Sequence, residues 1–187
     1  MTVDGSIDIA VLIGSLRAHS FSGRIAAALQ ARAPARLRLR TVPIGDLPLY
    51  NQDLNGDAAP AAYAPFRAAI AQVQAILFVT PEYNRSVPGC LKNAIDVASR
   101  RQGKGVILGK PAAVISQSPG AMGGFGANHA IRQSLVFLNM PMPQQPDAYM
   151  GQVGSAFDEA GALKHEGLAK LLADFAGAFE RWIDRTV

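Results

Sequence analysis

Short apolar runs alternate with helix-spaced segments along this 187-residue chain, and that alternation restricts the fold more than any single motif. Residues 7–13, Ile7-Asp8-Ile9-Ala10-Val11-Leu12-Ile13, read as a buried strand. Residues 21–33 read as the helix after it, with Phe21, Ile25, Ala28, Leu29 and Ala33 at helical spacing. Residues 37–42 alternate like a strand with one wet face, residues 61–72 form the next helix, and residues 75–80 a second buried strand. A helix over 89–99 leads to a strand over 112–116, and a helix over 127–138 leads to a short fifth strand at Met140-Pro141-Met142. Residues 157–185 read as one amphipathic helix with Leu168, Leu171, Leu172, Phe175, Phe179 and Ile183 on one face. The pattern predicts a parallel sheet with right-handed crossovers and helices on both faces. The length suits one domain over residues 1–187, since no linker or low-complexity tract divides it.

In an open sheet of this kind ligands bind outside the carboxyl ends of the strands, where the strand order reverses. Three loops fall there. The first, residues 14–24, lacks both the Gly-x-Gly-x-x-Gly spacing and a Gly-Lys-Ser/Thr, which excludes the dinucleotide fingerprint and the triphosphate loop. Its absence favours a flavodoxin-like strand order 2-1-3-4-5 over a Rossmann domain. Ser15, Ser20 and Ser22 offer hydroxyls and Arg17 a fork of donors, while the helix that follows presents open N–H groups and its positive dipole end. The set suits a terminal phosphomonoester, although an ordinary serine N-cap needs only one of those serines. His19 is either a phosphate contact or a surface histidine.

The second loop, Pro81 to Gly89, is braced by Pro81 and Pro88 and carries Glu82, Tyr83, Asn84 and Arg85. The third, from Ser116-Gln117-Ser118 through Gly120 to Gly126, holds four glycines in seven residues, which permits close backbone approach to a planar ring. A plain strand-helix connection and a flexible surface loop are the alternatives for these two. Together the three loops point to a phosphorylated planar cofactor, flavin mononucleotide.

Other chemistries are disfavoured. One cysteine, Cys90, leaves no disulfide framework and no cysteine-rich zinc site, and His19, His129 and His165 are not spaced as metal ligands. The net charge of +4 favours anionic ligands, but the arginines are dispersed, so no nucleic acid partner is expected. No apolar run approaches the ~18 residues of a membrane span, and Met1-Thr2-Val3-Asp4-Gly5 lacks the basic start and apolar core of a secretory signal, so the expectation is a cytoplasmic protein with no membrane partner. No serine, histidine and acid form a recognisable triad. Cys90, at a helix start, is a candidate redox thiol or a small semi-buried residue.

The chain resembles the NADPH-dependent FMN reductase family, and within it the bacterial quinone and chromate reductase branch. The resemblance rests on Gly14-Ser15-Leu16-Arg17…Ser20-Phe21, Leu47-Pro48-Leu49-Tyr50, Thr80-Pro81-Glu82-Tyr83-Asn84…Ser86-Val87-Pro88-Gly89…Leu91-Lys92-Asn93-Ala94-Ile95-Asp96, Lys110-Pro111, Gly123-Gly124 and Leu135-Val136-Phe137-Leu138. It implies that Ser15, Arg17, Ser20, Phe21 and Ser22 hold the phosphate and ribityl chain of FMN. It further implies that Pro81, Glu82, Tyr83 and Asn84 line the ring, largely through backbone groups, and that Ser116, Gln117, Ser118 and Gly120 close its pyrimidine side. The chemistry then belongs to the flavin, with no catalytic side chain: NADPH or NADH delivers a hydride and leaves before a quinone, chromate, azo compound or free flavin is reduced, in ping-pong order. Arg85, Arg100 and Arg101 are candidates for the nicotinamide cofactor's phosphate, with a solvated loop arginine the alternative for Arg85. Tyr50 and Tyr83 are candidates to flank an acceptor ring. Family members assemble as homodimers or homotetramers. An acidic-surfaced electron carrier and a cofactor-free scaffold are the competing readings.

Overall fold

The computed structural model describes residues 5–56, 58–100 and 105–187. Residues 1–4 and Arg101, read above for a leader and for a phosphate contact, lie outside them. Five strands, β1 (Ile7–Ile13), β2 (Leu37–Thr41), β3 (Ala75–Thr80), β4 (Ala112–Gln117) and β5 (Tyr149–Met150), form one all-parallel sheet in the order β2-β1-β3-β4-β5. The flavodoxin-like order expected from the first turn is the one observed. Among the described residues the helices are α1 (Phe21–Gln30), α2 (Tyr63–Gln72), α3 (Gly89–Ser99), α4 (Phe125–Phe137) and α5 (Glu166–Thr186), with short 3-10 turns at Gln52–Leu54 and Val153–Ser155.

The helices divide by face. Ile25 and Leu29 of α1 and Leu172, Phe175, Phe179 and Ile183 of α5 pack on one side of the sheet. Tyr63 and Ile70 of α2, Leu91 and Ile95 of α3, and Ile131 and Leu135 of α4 pack on the other. Because β3 and β4 are covered on both faces, every residue in them is buried, which is why they read as continuous apolar runs. Edge strand β2 keeps Leu37 and Leu39 inward and Arg38 and Arg40 outward. Each large apolar side chain of α5 that is buried contributes about 1.5–3 kcal/mol, and Arg36 ties the helix's last turns down through Asp184 and Glu180 at 3.0 and 3.5 Å.

Two element expectations are corrected. Met140-Pro141-Met142 is not the fifth strand: Pro141 has no N–H to give a ladder, and the segment accepts one bond from β4, Ala112 N–H to Pro141 O at 2.9 Å, while Met140 and Met142 fill the core. The fifth strand is Tyr149–Met150, registered on Ser116 and Gln117. The last helix starts at Glu166 rather than 157, because a tight turn precedes it: Phe157 bridges Leu163, Asp158 Oδ1 accepts from Ala162 N–H at 2.8 Å, and Gly161 takes φ +84°. No helix among the described residues is long and apolar enough to cross a membrane. No group of three or more His, Cys, Asp or Glu among them is placed to hold a metal ion.

Candidate functional site

Strands β1, β3 and β4 are neighbours in the sheet, so the loops leaving their carboxyl ends meet at one edge. Contact begins at the root. Gly14 donates its N–H to Val79 O at 2.9 Å, and a Cβ there would stand 2.5 Å from Thr80 Oγ1, so only glycine lets the first loop leave flush against β3.

In the first loop Ser20 is the N-cap of α1, its Oγ accepting from Gly23 N–H at 3.1 Å. The helix has no acid in its first turn, and the amides of Phe21 and Ser22 are left as its open donors. Arg17 and His19 are exposed and Ser15 is half-buried. Ser22 departs from expectation: its side chain is fully buried and its hydroxyl accepts from Gln117 Nε2 at 3.1 Å. On a helix, residue 22 shares a face with Ala26 and Leu29, and that face packs on the sheet. What Ser22 offers the loop is its backbone N–H.

The third loop shows the same division. Successive residues of β4 point to opposite faces, so Ser116 turns toward α4 and accepts from Asn128 Nδ2 at 3.2 Å, while Gln117 turns toward α1 and Ser22. Both side chains are buried and support the loop from beneath rather than facing the crevice. Gln117 Oε1 is left without a hydrogen-bond partner. Beyond them Ser118 Oγ donates to Gly120 O at 2.9 Å, and Gly123 and Gly124 take φ +59° and +75° to lead into α4.

The second loop is a hairpin the sequence reading missed. Tyr83 and Ser86 exchange both backbone bonds, at 3.1 and 3.0 Å, and Asn84 and Arg85 have φ 50° and 62°. Two left-handed central residues make the type I′ connection; Asn84 signals it, but an arginine at the second position conceals it. Tyr83 stands half-exposed at the rim. Glu82 is almost enclosed, with Oε2 accepting from Ala127 N–H at 3.1 Å and Oε1 paired with Arg85 Nη1 at 3.3 Å. Arg85 also brings Nη1 to 3.2 Å from Met122 Sδ of the third loop.

Tyr50 is set beside these loops by a residue given no separate role above. Asn93 of α3, buried, donates from Nδ2 to Leu47 O and Pro48 O at 3.1 and 2.9 Å and accepts from Tyr50 N–H at 2.8 Å. Tyr63 adds its hydroxyl to Pro48 O and Leu49 O, both at 3.1 Å. A polar side chain on the apolar face of α3, among Leu91, Ala94 and Ile95, is the signal that marks Asn93. Arg24 was likewise missed; its guanidinium lies 5.7 Å from the Phe21 ring and 5.9 Å from the Phe157 ring.

Other candidates fall away from the edge. Arg100 follows the far end of α3, about 16 Å from the second loop at ~1.5 Å per residue, so it does not share the crevice. Burial pushes the Cys90 thiol up, the opposite of an activated nucleophile. A cavity of about 580 Å³ lies against α2, where Arg67 donates to Val97 O and Asn55 Oδ1; it is remote from the three loops.

The donor set at the first loop, an acid-free helix start with Arg17 and Ser15 beside open amides, fits a phosphate ester. The hairpin and the glycine loop present mainly backbone, Tyr83 and Met122, which fits a flat ring better than a charged one.

Residues 7–154 match the model of the NADPH-dependent FMN reductase family. The chain is 54% identical to a quinone reductase of Pseudomonas putida over 175 residues, covering 94% of each. It is 42% identical to a 2-hydroxy-1,4-benzoquinone reductase of a Burkholderia species over 183 residues, covering 97% of this chain and 100% of that one. Among solved structures it is similar to a flavoenzyme NAD(P)H:(acceptor) oxidoreductase from Paracoccus denitrificans, with TM-score 0.89 at 40% identity, covering 96% of this chain and 98% of the other.

Proposed function

The chain belongs to the NADPH-dependent FMN reductase family and is thus an FMN-binding oxidoreductase that uses NAD(P)H, and we propose that its foremost acceptors are quinones. The observation that carries the reading is the meeting of an open, acid-free helix start with a half-exposed aromatic rim at one sheet edge. Arg17, Ser15 and the amides of Phe21 and Ser22 hold the phosphate. Backbone groups of Pro81, Glu82, Tyr83 and Asn84, with Ser118 and Gly120, line the ring, and Ser22, Ser116 and Gln117 brace those loops from inside. FMN held by these residues would supply the two-electron chemistry that links a reduced nicotinamide to the acceptor.

The chain's own residues then bind and orient. Tyr83 and Tyr50 flank one mouth, so nicotinamide and acceptor use it in turn, which gives ping-pong kinetics. An open mouth with Leu49 80% and Met122 55% exposed accepts apolar rings of differing shape, and chromate, azo compounds and free flavin are further acceptors. The whole chain acts as one domain. Val136 and Phe137, 70% and 85% exposed at the end of α4, support assembly into a homodimer or homotetramer. A single cysteine and a reduced nicotinamide co-substrate suit the cytoplasm.

Anaerobic addition of NADPH to the FMN-loaded protein is the test. The visible flavin bands should bleach and return with a benzoquinone; bands indifferent to NADPH and NADH but bleached by dithionite would mark an electron carrier instead.

A further inference from the structure

We propose that Glu82 is a positioning residue whose carboxylate joins the second and third loops into one rigid wall, and that this joint sets how firmly the flavin ring is held. The inference rests on the reading that these two loops line the ring. It concerns the side chain of Glu82, where the resemblance implied largely backbone groups.

Helix α4 starts without a cap of its own. Its N-cap is Gly124, in the left-handed region, with no side chain to accept from the first-turn amides. Glu82 supplies the acceptor from a different element: Oε2 takes the N–H of Ala127, third residue of α4, at 3.1 Å. A carboxylate at that place also meets the positive end of the helix. The other oxygen, Oε1, takes Arg85 Nη1 at 3.3 Å, which ties the same carboxylate to the hairpin tip. With 11% of its side chain exposed, Glu82 exchanges little with water.

The backbones meet as closely as the side chains. A Cβ on Gly126 would lie 2.5 Å from Arg85 O and 2.9 Å from Glu82 Oε2, so glycine is what lets α4 start against the hairpin. Arg85 holds φ 62° in an otherwise unfavourable region, and its ion pair and its approach to Met122 at 3.2 Å fix it there. The hairpin is thus bound to the loop before α4 on both sides. Without the carboxylate each loop keeps its own fold, and only the Gly126 contact and the Arg85–Met122 approach still hold one against the other.

The experiment titrates apo protein with FMN and with riboflavin for wild type, Glu82→Ala and Glu82→Gln, reading affinity and the fluorescence of the bound flavin. Amide exchange at Ala127 is followed in the apo protein. Losing a charge-assisted bond at a ring-side joint should weaken both flavins alike in Glu82→Ala, by about tenfold or more, with brighter bound-flavin fluorescence and faster Ala127 exchange. Glu82→Gln keeps an oxygen for Ala127 and should stay within about threefold of wild type. Wild-type affinity in Glu82→Ala, a loss confined to FMN, or a Gln variant as weak as the Ala variant overturns the proposal. If Glu82→Ala does not fold, Gly126→Ala strains the same joint from the helix side and should show the same paired loss; unchanged binding of both flavins there overturns it. Failure of the ring reading has its own signature, a wild type that takes up neither flavin while Ala127 exchange still quickens in Glu82→Ala. A wild type that binds both, with Ala127 exchange indifferent to Glu82→Ala, overturns the joint alone.

Discussion

Gln117, the last residue of β4, donates from Nε2 to the hydroxyl of Ser22 in the first turn of α1 at 3.1 Å, with both side chains buried. The bond runs beneath the crevice and ties the third loop to the first, 95 residues away in sequence. It assigns to the interior two side chains expected in the ligand site, Ser22 from the hydroxyls of the first loop and Gln117 from the family resemblance.

Removing that hydroxyl separates bracing from binding. Ser22→Ala leaves Gln117 Nε2 unpaired, which costs about 1–3 kcal/mol, and urea denaturation should show a loss of that size. FMN affinity should fall by less than about threefold, since the Ser22 amide remains. A larger fall with stability unchanged would return the hydroxyl to the ligand.

Arg17 is tested by the difference between two ligands. It has no buried side-chain role, so Arg17→Ala should leave stability within about 0.5 kcal/mol. Loss of its charge-assisted bonds should weaken FMN by about tenfold or more and leave riboflavin unchanged. Isothermal titration with both ligands reads the result, and equal loss for both would remove Arg17 from the phosphate.

Asn93 holds the loop that carries Leu49 and Tyr50 through three bonds. Asn93→Ala should destabilise the protein by about 2–4 kcal/mol, because Leu47 O and Tyr50 N–H lose their partner while Pro48 O keeps only the Tyr63 hydroxyl. Flavin occupancy should persist while KM for a quinone rises with kcat little changed, read by steady-state kinetics well below the melting temperature. A KM equal to wild type would make this loop a bystander.

Two titrations have opposite signs. Arg36, hydrogen-bonded to Asp184 through both carboxylate oxygens, holds that carboxyl below its ordinary value of 3.8. A depressed acid contributes stability above its unfolded value and loses it as pH falls through the lower, folded one; Arg36→Ala should therefore matter at neutral pH and cease to matter in acid below that window. Burial holds the Cys90 thiol above its ordinary value of 9.0, so its contribution is complete below that value and lost only as pH rises beyond it. At pH 7 the thiol is protonated, so maleimide labelling should be slow, and Cys90→Ala should keep most NADPH-dependent quinone reduction. Rapid labelling, or loss of turnover with flavin still bound, would contradict this.

Much of the fold was legible because burial leaves a local imprint. β1, β3 and β4 are covered on both faces and must be apolar along their length, and α3 was bounded correctly by Gly89 and Ser99. β5 was not legible: two residues carry no periodicity, and the proline segment before them is as apolar as a strand. The hairpin at Tyr83–Ser86 escaped for a related reason, since Arg85 in a left-handed conformation has no sequence signal and persists through contacts with Glu82 and Met122.

By itself the sequence determined the layer architecture, the strand order through the chemistry of its first turn, and which three loops carry donors and glycines, because these depend on hydrophobic period and residue type along short stretches. Only the tertiary structure decided where each side chain points. Helix phase turned Ser22 inward, strand pleat sent Ser116 and Gln117 to opposite faces, and long-range partners, Ala127 for Glu82 and Asn93 for Tyr50, gave two loops their rigidity. Those pairings join residues about forty or more apart, whose distance in space is set by the packing of whole elements and leaves no trace in local pattern.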